Sequence, residues 1–341
     1  MANSETKNLQ NEINSLRKDV RNHALFIMAA CYLVLVLFWV AVYSMSPLWL
    51  LALPLIGILQ YYIVISGHEA VHKTLCQPLW LNEFLGVFGQ SLVGVSFNAY
   101  RLQHIDHHSC RSHETDPDSH IYYSVLSSLP GHRRFLRLTI GTLVEIWVKI
   151  IQKGSGGYGT ERKIKPSTNG KMKRDSLLVI CSQLSLMAIS TFVLSPYWTL
   201  LLDASSLGLP SGLAWLIAAP VSYGLLWICP LFGVTVFLNR CRICIEHGLA
   251  LTLAAKIKQT GAEFGGPRIP TVDIQPGRLQ QLIFAPFNFN YHCTHHLFMS
   301  VPHYHLPKLN SLLREHHYEG HHQINGSYLT ALKELMVAET P

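Results

Sequence analysis

The sequence contains few charged residues. Only 14% of its 341 residues are Asp, Glu, Lys or Arg, whereas soluble domains are closer to a quarter charged. Charge is absent altogether from four long apolar stretches, residues 24–45, 47–67, 177–202 and 213–238. Each stretch is long enough to cross a hydrocarbon layer of about 30 Å as a helix. The shortage of charge therefore argues against a large soluble protein and predicts a polytopic membrane protein with four transmembrane helices.

Basic residues are missing from the two short connections between these stretches, residues 44–48 and 203–212. Lys and Arg lie instead before residue 24, at Lys73, in the long middle segment and after residue 239. Because basic loops remain on the cytoplasmic side, we expect both termini and the middle segment on the cytoplasmic face of a bacterial inner membrane or the endoplasmic reticulum. Anionic lipids account for the net charge of +7 without a nucleic-acid partner.

Disulfides are not expected, although the chain has eight cysteines. Three of them lie inside the apolar stretches and the others on the predicted cytoplasmic side, where thiols stay reduced. Cys241 and Cys244 form a single C-x-x-C, which is weak evidence for a metal site. We also expect no cleavable signal peptide, because the first apolar stretch is too long and lacks a small-residue cleavage site.

The fold class expected from these patterns is all-α, with four transmembrane helices, additional interfacial helices and a cytoplasmic cap rich in histidine. Residues 1–23 have apolar residues at helical spacing and predict a short amphipathic helix. Residues 24–310 are expected to form one membrane domain, and residues 311–341 a C-terminal cytoplasmic tail.

Three other segments affect the topology. Residues 84–97 and 135–151 are apolar but bounded or interrupted by charge, and we interpret both as interfacial helices. Residues 154–170 are rich in Gly, Ser and Lys and are expected to form a loop.

Histidine is the abundant residue: there are nineteen, and none lies within the four apolar stretches. The pattern His-x-x-His-His occurs twice, at residues 104–108 and 292–296, and "HEAVH" occupies residues 68–72. Positions i, i+3 and i+4 share one helix face, so each pattern can offer several imidazoles to one centre. Nine histidines follow the apolar stretches closely or belong to these patterns: His68, His72, His104, His107, His108, His247, His292, His295 and His296.

Nine imidazoles exceed the three or four protein ligands of a single zinc ion. They are enough for two ions with four or five imidazoles each, and neutral imidazole suits iron, copper, nickel and zinc. Neighbouring carboxylates could accept hydrogen bonds from the imidazole N–H groups, with ordinary surface charge as the alternative. These candidates are Glu69, Asp106, Asp116, Asp118 and Glu246.

The motifs "HEAVH", "HIDHH", "IEHG" and "HCTHHLFMSVPHYHLPKL" resemble the three histidine boxes and the additional histidine of the membrane fatty acid desaturase and hydroxylase superfamily. The resemblance covers about residues 25–310, with the boxes in family order. It implies that the nine histidines bind two Fe ions, with O₂ as co-substrate. Two positions depart from the family pattern: Met299 stands where proline is usual, and His305 where asparagine is common.

The resemblance implies oxidation of an unactivated C–H bond in a lipid chain, with fatty acyl desaturation as the first choice and no catalytic residue beyond the metal ligands. Hydroxylation, carotenoid oxygenation and oxidative decarboxylation to a terminal alkene remain open. Two more distant alternatives are a zinc membrane hydrolase, because "HEAVH" matches H-E-x-x-H, and a metal or haem transporter. A separate electron donor of the ferredoxin or cytochrome b5 type is implied, docking around Arg133, Arg134 and Arg137.

Overall fold

The structure, a computed structural model, is mostly helical. It describes residues 2–46, 49–126, 130–151, 166–204, 211–260, 265 and 269–337. The helices of the first half are α1 Ala2–Lys18, α2 His23–Tyr43, α3 Trp49–Val71, α4 Leu79–Leu92, α5 Phe97–Ser109, α6 Ser119–Leu126 and α7 Gly131–Ile151. Those of the second half are α8 Pro166–Val193, α9 Ser195–Ala204, α10 Ser211–Tyr223, α11 Phe237–Ile243, α12 Ala250–Gln259, α13 Arg278–Phe284, α14 His292–Leu297, α15 Leu306–Glu315 and α16 Tyr328–Val337.

Three π-helical and two 3₁₀ segments complete the helical part of the described residues. The π segments are Gly224–Ile228, Leu231–Val236 and Cys244–Leu249, and the 3₁₀ turns are Pro286–Asn288 and His303–His305.

A short parallel strand pair departs from the expected all-α fold. β1, Asp273–Ile274, pairs with β2, Gln323–Ile324. The extended backbone at β1 is stabilised from two sides, because Asp273 N–H donates to the His322 carbonyl (2.8 Å) and Ile274 N–H donates to the Asn290 carbonyl (2.9 Å). The pair therefore ties the C-terminal segment to the residues that precede α14.

Among the described residues, three helices are long and apolar enough to cross a membrane: His23–Tyr43, Pro166–Val193 and Gly212–Gln259. Residues 47 and 48 of the second expected span lie outside the described residues. The rest of that span lies in α3, which is not one of the three. A fourth crossing therefore stays a prediction.

The third expected span, residues 177–202, is divided in the structure. α8 begins earlier, at Pro166, and ends at Val193, while α9 begins at Ser195. Pro196 has no backbone N–H with which to continue α8, which explains the break. Residues 166–170, expected to belong to a loop, are the first residues of α8, and proline is well tolerated at a helix start. The rest of the expected loop, residues 154–165, lies outside the described residues.

The fourth expected span, residues 213–238, is part of a longer helical run. α10, α11 and α12 alternate with the three π segments and carry the helix on to Gln259. Arg240, Arg242 and His247 are all buried on this continuation. A π-helical turn inserts an extra residue and changes which side chains face a given side, a feature common at functional sites.

α3 lies at the centre of the helical packing. It contacts α2, α4, α5 and the π segment Leu231–Val236, and α4 packs in turn against α8. α4 approaches both α3 and α5 closely at Gly86. A Cβ at this position would lie 2.6 Å from the Phe97 ring of α5 and 2.8 Å from the Ala70 Cβ of α3. α3 and α5 are therefore held side by side, which brings their histidines together.

Both terminal segments contact the central part of the chain. α1 buries Leu9, Ile13 and Leu16 against α15. α16 packs against α7 and the π segment Cys244–Leu249. The division into residues 1–23, 24–310 and 311–341 stays a prediction.

Candidate metal centre

The nine predicted histidines come together in two groups. The five-histidine group consists of His68, His72, His104, His108 and His295. The four-histidine group consists of His107, His247, His292 and His296. Within each group, one ring nitrogen of every residue lies within 4.8 Å of those of the others. All are buried except His72, which is partly buried.

Each His-x-x-His-His pattern is shared between the two groups. On α5, His104 and His108 join the five-histidine group, whereas His107 joins the four-histidine group. On α14 the division is reversed, because His295 alone joins the five-histidine group. The sequence suggested that each triplet serves one centre. The structure shows instead that the i, i+4 pair and the i+3 residue point into adjacent clusters, so α5 and α14 each contribute to both.

The ring nitrogens of each group point at one another. His104 Nε2 lies 2.9 Å from His72 Nε2 and 3.0 Å from His108 Nε2, and His292 Nε2 lies 2.9 Å from His247 Nε2. A neutral imidazole has only one N–H, so converging nitrogens cannot all be satisfied by hydrogen bonds among themselves.

Two further nitrogens of the five-histidine group support the same interpretation. Within the part of the chain that the structure describes, His68 Nε2 and His295 Nε2 are buried without a hydrogen-bond partner. Buried polar atoms are rarely left unsatisfied. Converging lone pairs and unpartnered nitrogens together form a donor set that fits metal cations.

The electrostatics favour neutral rings. Burial lowers the pKa of His72 to about 3. It also lowers the pKa values of His104, His108 and His295 well below the usual range of histidine, and their mutual repulsion when charged adds to this effect. Neutral imidazole is the form that binds a metal. These rings are therefore ready to act as ligands near neutral pH.

Asp116 orients His107. Its Oδ1 lies 2.7 Å from His107 Nδ1, and its Oδ2 accepts a hydrogen bond from the Tyr122 hydroxyl at 2.6 Å. Although burial opposes both shifts, this contact raises the pKa of His107 and lowers the pKa of Asp116 to about 2. An Nδ1–H that donates to the carboxylate leaves Nε2 as the free ligand atom. Asp118 accepts from Gln103 at 2.6 Å and lies 3.8 Å from His107 Nδ1.

Glu69 supports the five-histidine group. Its Oε1 lies 3.3 Å from His68 Nδ1, and its Oε2 accepts from the Thr74 hydroxyl at 2.9 Å. The same Oε2 lies 3.5 Å from His303 Nδ1. His303, one of the histidines in the "VPHYHLP" stretch, therefore contacts the carboxylate of Glu69 and is not itself part of the five-histidine group.

Glu246 supports the four-histidine group. It accepts hydrogen bonds from the Arg242 guanidinium and, at 3.0 Å, from the Tyr328 hydroxyl. Its Oε2 lies 3.4 Å from His292 Nδ1. Four of the five candidate carboxylates thus lie beside the histidine groups, and the remaining one, Asp106, is only partly buried.

Asp273 is an important residue that sequence reasoning missed. It is completely buried and accepts hydrogen bonds from the backbone N–H of Thr294 (3.0 Å) and from Asn310 Nδ2 (2.8 Å). His321 Nε2 lies 3.0 Å from the same carboxylate. Asp273 thereby caps α14, whose own N-cap residue makes no side-chain cap. No motif marks it, since it stands alone about twenty residues before the third box.

One surface expectation needs correction. Arg134 is buried and donates to the Leu335 carbonyl at 2.8 Å, so it is not available to a docking partner, whereas Arg133 and Arg137 are exposed. His305, which replaces the family's usual asparagine, lies 2.9 Å from Asp19 Oδ2.

Comparisons with known proteins agree with the site. The fatty acid desaturase family model matches residues 46–327. The chain is similar to a "Delta(12) fatty acid dehydrogenase" from Crepis alpina, 24% identical over 277 residues that cover 76% of this chain and 67% of the relative. It is also similar to the "Bifunctional desaturase/conjugase FADX" from Vernicia fordii, 23% identical over 276 residues that cover 76% of this chain and 65% of the relative. The chain belongs to the fatty acid desaturase family and is an enzyme of the desaturase type.

Proposed function

We propose that the nine histidines bind two iron ions, one in the five-histidine group and one in the four-histidine group. The observation that carries this proposal is the convergence of nine buried imidazoles into two adjacent clusters of ligand atoms. Imidazole nitrogen is a good donor for iron, and the numbers of ligands suit two ions better than one.

The reaction we propose is O₂-dependent oxidation of an unactivated C–H bond, with fatty acyl desaturation as the favoured outcome. Family membership implies a lipid substrate and association with a membrane. The bound iron pair would supply activation of molecular oxygen. For each double bond, two hydrogen atoms leave the chain. With two electrons and two protons from a donor, they reduce one O₂ to two waters. A separate donor of the ferredoxin or cytochrome b5 type supplies the electrons.

The chain's own residues hold and shield the site. Asp116 and Glu69 accept from the outer ring nitrogens of His107 and His68, and Glu246 lies 3.4 Å from that of His292, so the inner nitrogens stay directed into the two groups. Burial excludes water, so the electrostatic interactions inside are stronger than at a surface. We further propose four membrane crossings, with the histidine groups on the cytoplasmic side.

Metal and product analysis of the purified chain tests this function. We expect about two irons per chain, and a product with a new double bond that forms only when O₂, an electron donor and an acyl lipid are all present. His107→Ala should lose iron and turnover, while exposed His317→Ala, a matched control, should lose neither. Zinc with hydrolysis of the lipid, or full turnover by His107→Ala, would refute the proposal.

A further inference from the structure

A small cavity lies against both histidine groups. Its volume is about 150 Å³, well above the roughly 10–15 Å³ that one water needs. His68 and His104 line it from the five-histidine group, and His107, His247 and His292 line it from the four-histidine group. A substrate atom in this cavity would lie next to both proposed metal sites.

Apart from the histidines, the wall of the cavity is mixed. Arg242, Asn239, Gln103 and Asp118 line it together with apolar residues such as Ile65 and Ile243. A methylene segment in the middle of an acyl chain makes no hydrogen bonds, so burying it against a polar group that still lacks a partner would leave that group unsatisfied. The wall fits a ligand that carries a polar atom close to the site of reaction.

Arg242 has a donor to offer to such an atom. The residue is 5% exposed. Its guanidinium donates to Glu246 and, at 3.3 Å, to Asn239 Oδ1, and lies 4.0 Å from the centre of the Phe289 ring. Its Nε–H, however, is buried without a hydrogen-bond partner among the residues that the structure describes. Glu246 and Asn239 accept from the other guanidinium nitrogens, so what the Nε–H lacks is an acceptor.

From this cavity we infer that the lipid substrate places a hydrogen-bond-accepting oxygen, from a carboxylate or an ester carbonyl, beside Arg242. The carbon that is oxidised then lies close to the oxygen-bearing end of the chain and not in its middle. This inference rests on the proposed function and narrows its substrate class. Ordered water is the competing occupant, because it could satisfy the same donors.

Binding without turnover separates these occupants. The iron-loaded full-length chain in detergent is mixed anaerobically, without an electron donor, with dodecanoic acid, methyl dodecanoate or dodecane. The affinity of each probe for the protein is corrected for its partition into detergent micelles that contain no protein. We expect the acid to bind at least about tenfold more tightly than dodecane. An ester that equals the acid shows that a neutral acceptor suffices, and a weaker ester shows that the carboxylate is preferred. Equal binding of all three probes would overturn the inference and leave water as the occupant.

Variants assign the preference to Arg242. The double substitution R242Q/E246Q removes both charges together, so no unpaired buried charge remains, and it should abolish the preference for the acid. R240Q is the control, because Arg240 is buried on the same helix but bonds Thr142 and does not line the cavity. Should the double variant fail to fold, Asn239→Leu, which leaves Glu246 untouched, should reduce the preference at least threefold. A folded R242Q/E246Q chain that keeps the full preference would overturn the inference.

The two proposals fail in different ways. Two irons and O₂-dependent products without any preference for the acid would leave the proposed function intact and remove only the Arg242 site. A preference for the acid in a chain that binds no iron and forms no oxidised product would do the reverse.

Discussion

The two histidine groups differ in how their rings are held. In the four-histidine group, carboxylates lie behind two of the four rings: Asp116 is 2.7 Å from His107, and Glu246 is 3.4 Å from His292. In the five-histidine group, Glu69 lies behind His68 alone, at 3.3 Å. The other rings of the five-histidine group contact one another, as His72 contacts His108 and His295, and His72 is partly exposed.

This difference indicates two ways of building a metal site. The four-histidine group has no ligand to spare and relies on charged partners for orientation. The five-histidine group has one imidazole more and relies on the number and mutual packing of its rings. If each group binds one iron, the four-histidine site should be the more sensitive to the loss of a single ring. The predictions below test this comparison, beginning with the largest expected effect.

Removing one ligand from each group tests the comparison directly. We expect His292→Ala to lose at least one iron per chain and to reduce turnover by about 100-fold or more, because only three imidazoles remain in its group. His72→Ala should cost about tenfold in turnover and keep more iron, since four imidazoles remain. Metal analysis and turnover measure both. Equal losses in the two variants would show that ring number is not what distinguishes the groups.

The carboxylates behind the rings should rank in the same way. Asp116→Asn retains the shape of the side chain but loses the charge that orients His107, and we expect a loss of about 10- to 100-fold in iron affinity. Glu69→Gln should cost less, because its contact with His68 is longer and the group has other rings in support. Competition with an iron chelator gives both affinities. A larger loss for Glu69→Gln would reverse the comparison.

Asp273 should affect both groups equally. It caps α14, which carries His292 and His296 of one group and His295 of the other. We expect Asp273→Asn to destabilise the fold by about 1–3 kcal/mol, because the buried donors Thr294 N–H and Asn310 Nδ2 lose a charged acceptor. Thermal unfolding gives the stability and metal analysis gives the content of each site. Loss of iron from one group alone would contradict a role through α14.

The difference between Asp116 and Asp273 shows how far sequence reasoning reaches. Asp116 follows the second box by a few residues, so local spacing suggested its partnership with a ligand. Asp273 acts from a two-residue strand whose position depends on contacts with the C-terminal segment, and such contacts leave no local pattern.

The sharing of each histidine triplet between two groups could not be predicted for the same reason. Helical spacing predicts that the three rings share a face, but which cluster each ring joins depends on how α3, α5, the π segment Cys244–Leu249 and α14 pack. Hydrophobic run length predicted parts of all three helices that are long and apolar enough to cross a membrane, but not the break at Pro196.

The smallest effect is expected at Asp19, which lies between α1 and α2 and belongs to neither histidine group. Asp19 contacts His305 at 2.9 Å, but the Asp19 side chain is 39% exposed, and ion pairs that are open to solvent contribute little to stability. The buried contacts of Leu9 and Ile13 with α15 hold α1 in place instead. Asp19→Asn should therefore leave iron content, turnover and the unfolding midpoint unchanged within error, with Ile13→Asp as the comparison that detaches α1. If Asp19→Asn alone releases iron, the position of the α14 histidines depends on the contact between Asp19 and His305. A third region of the molecule would then help to orient the ligands.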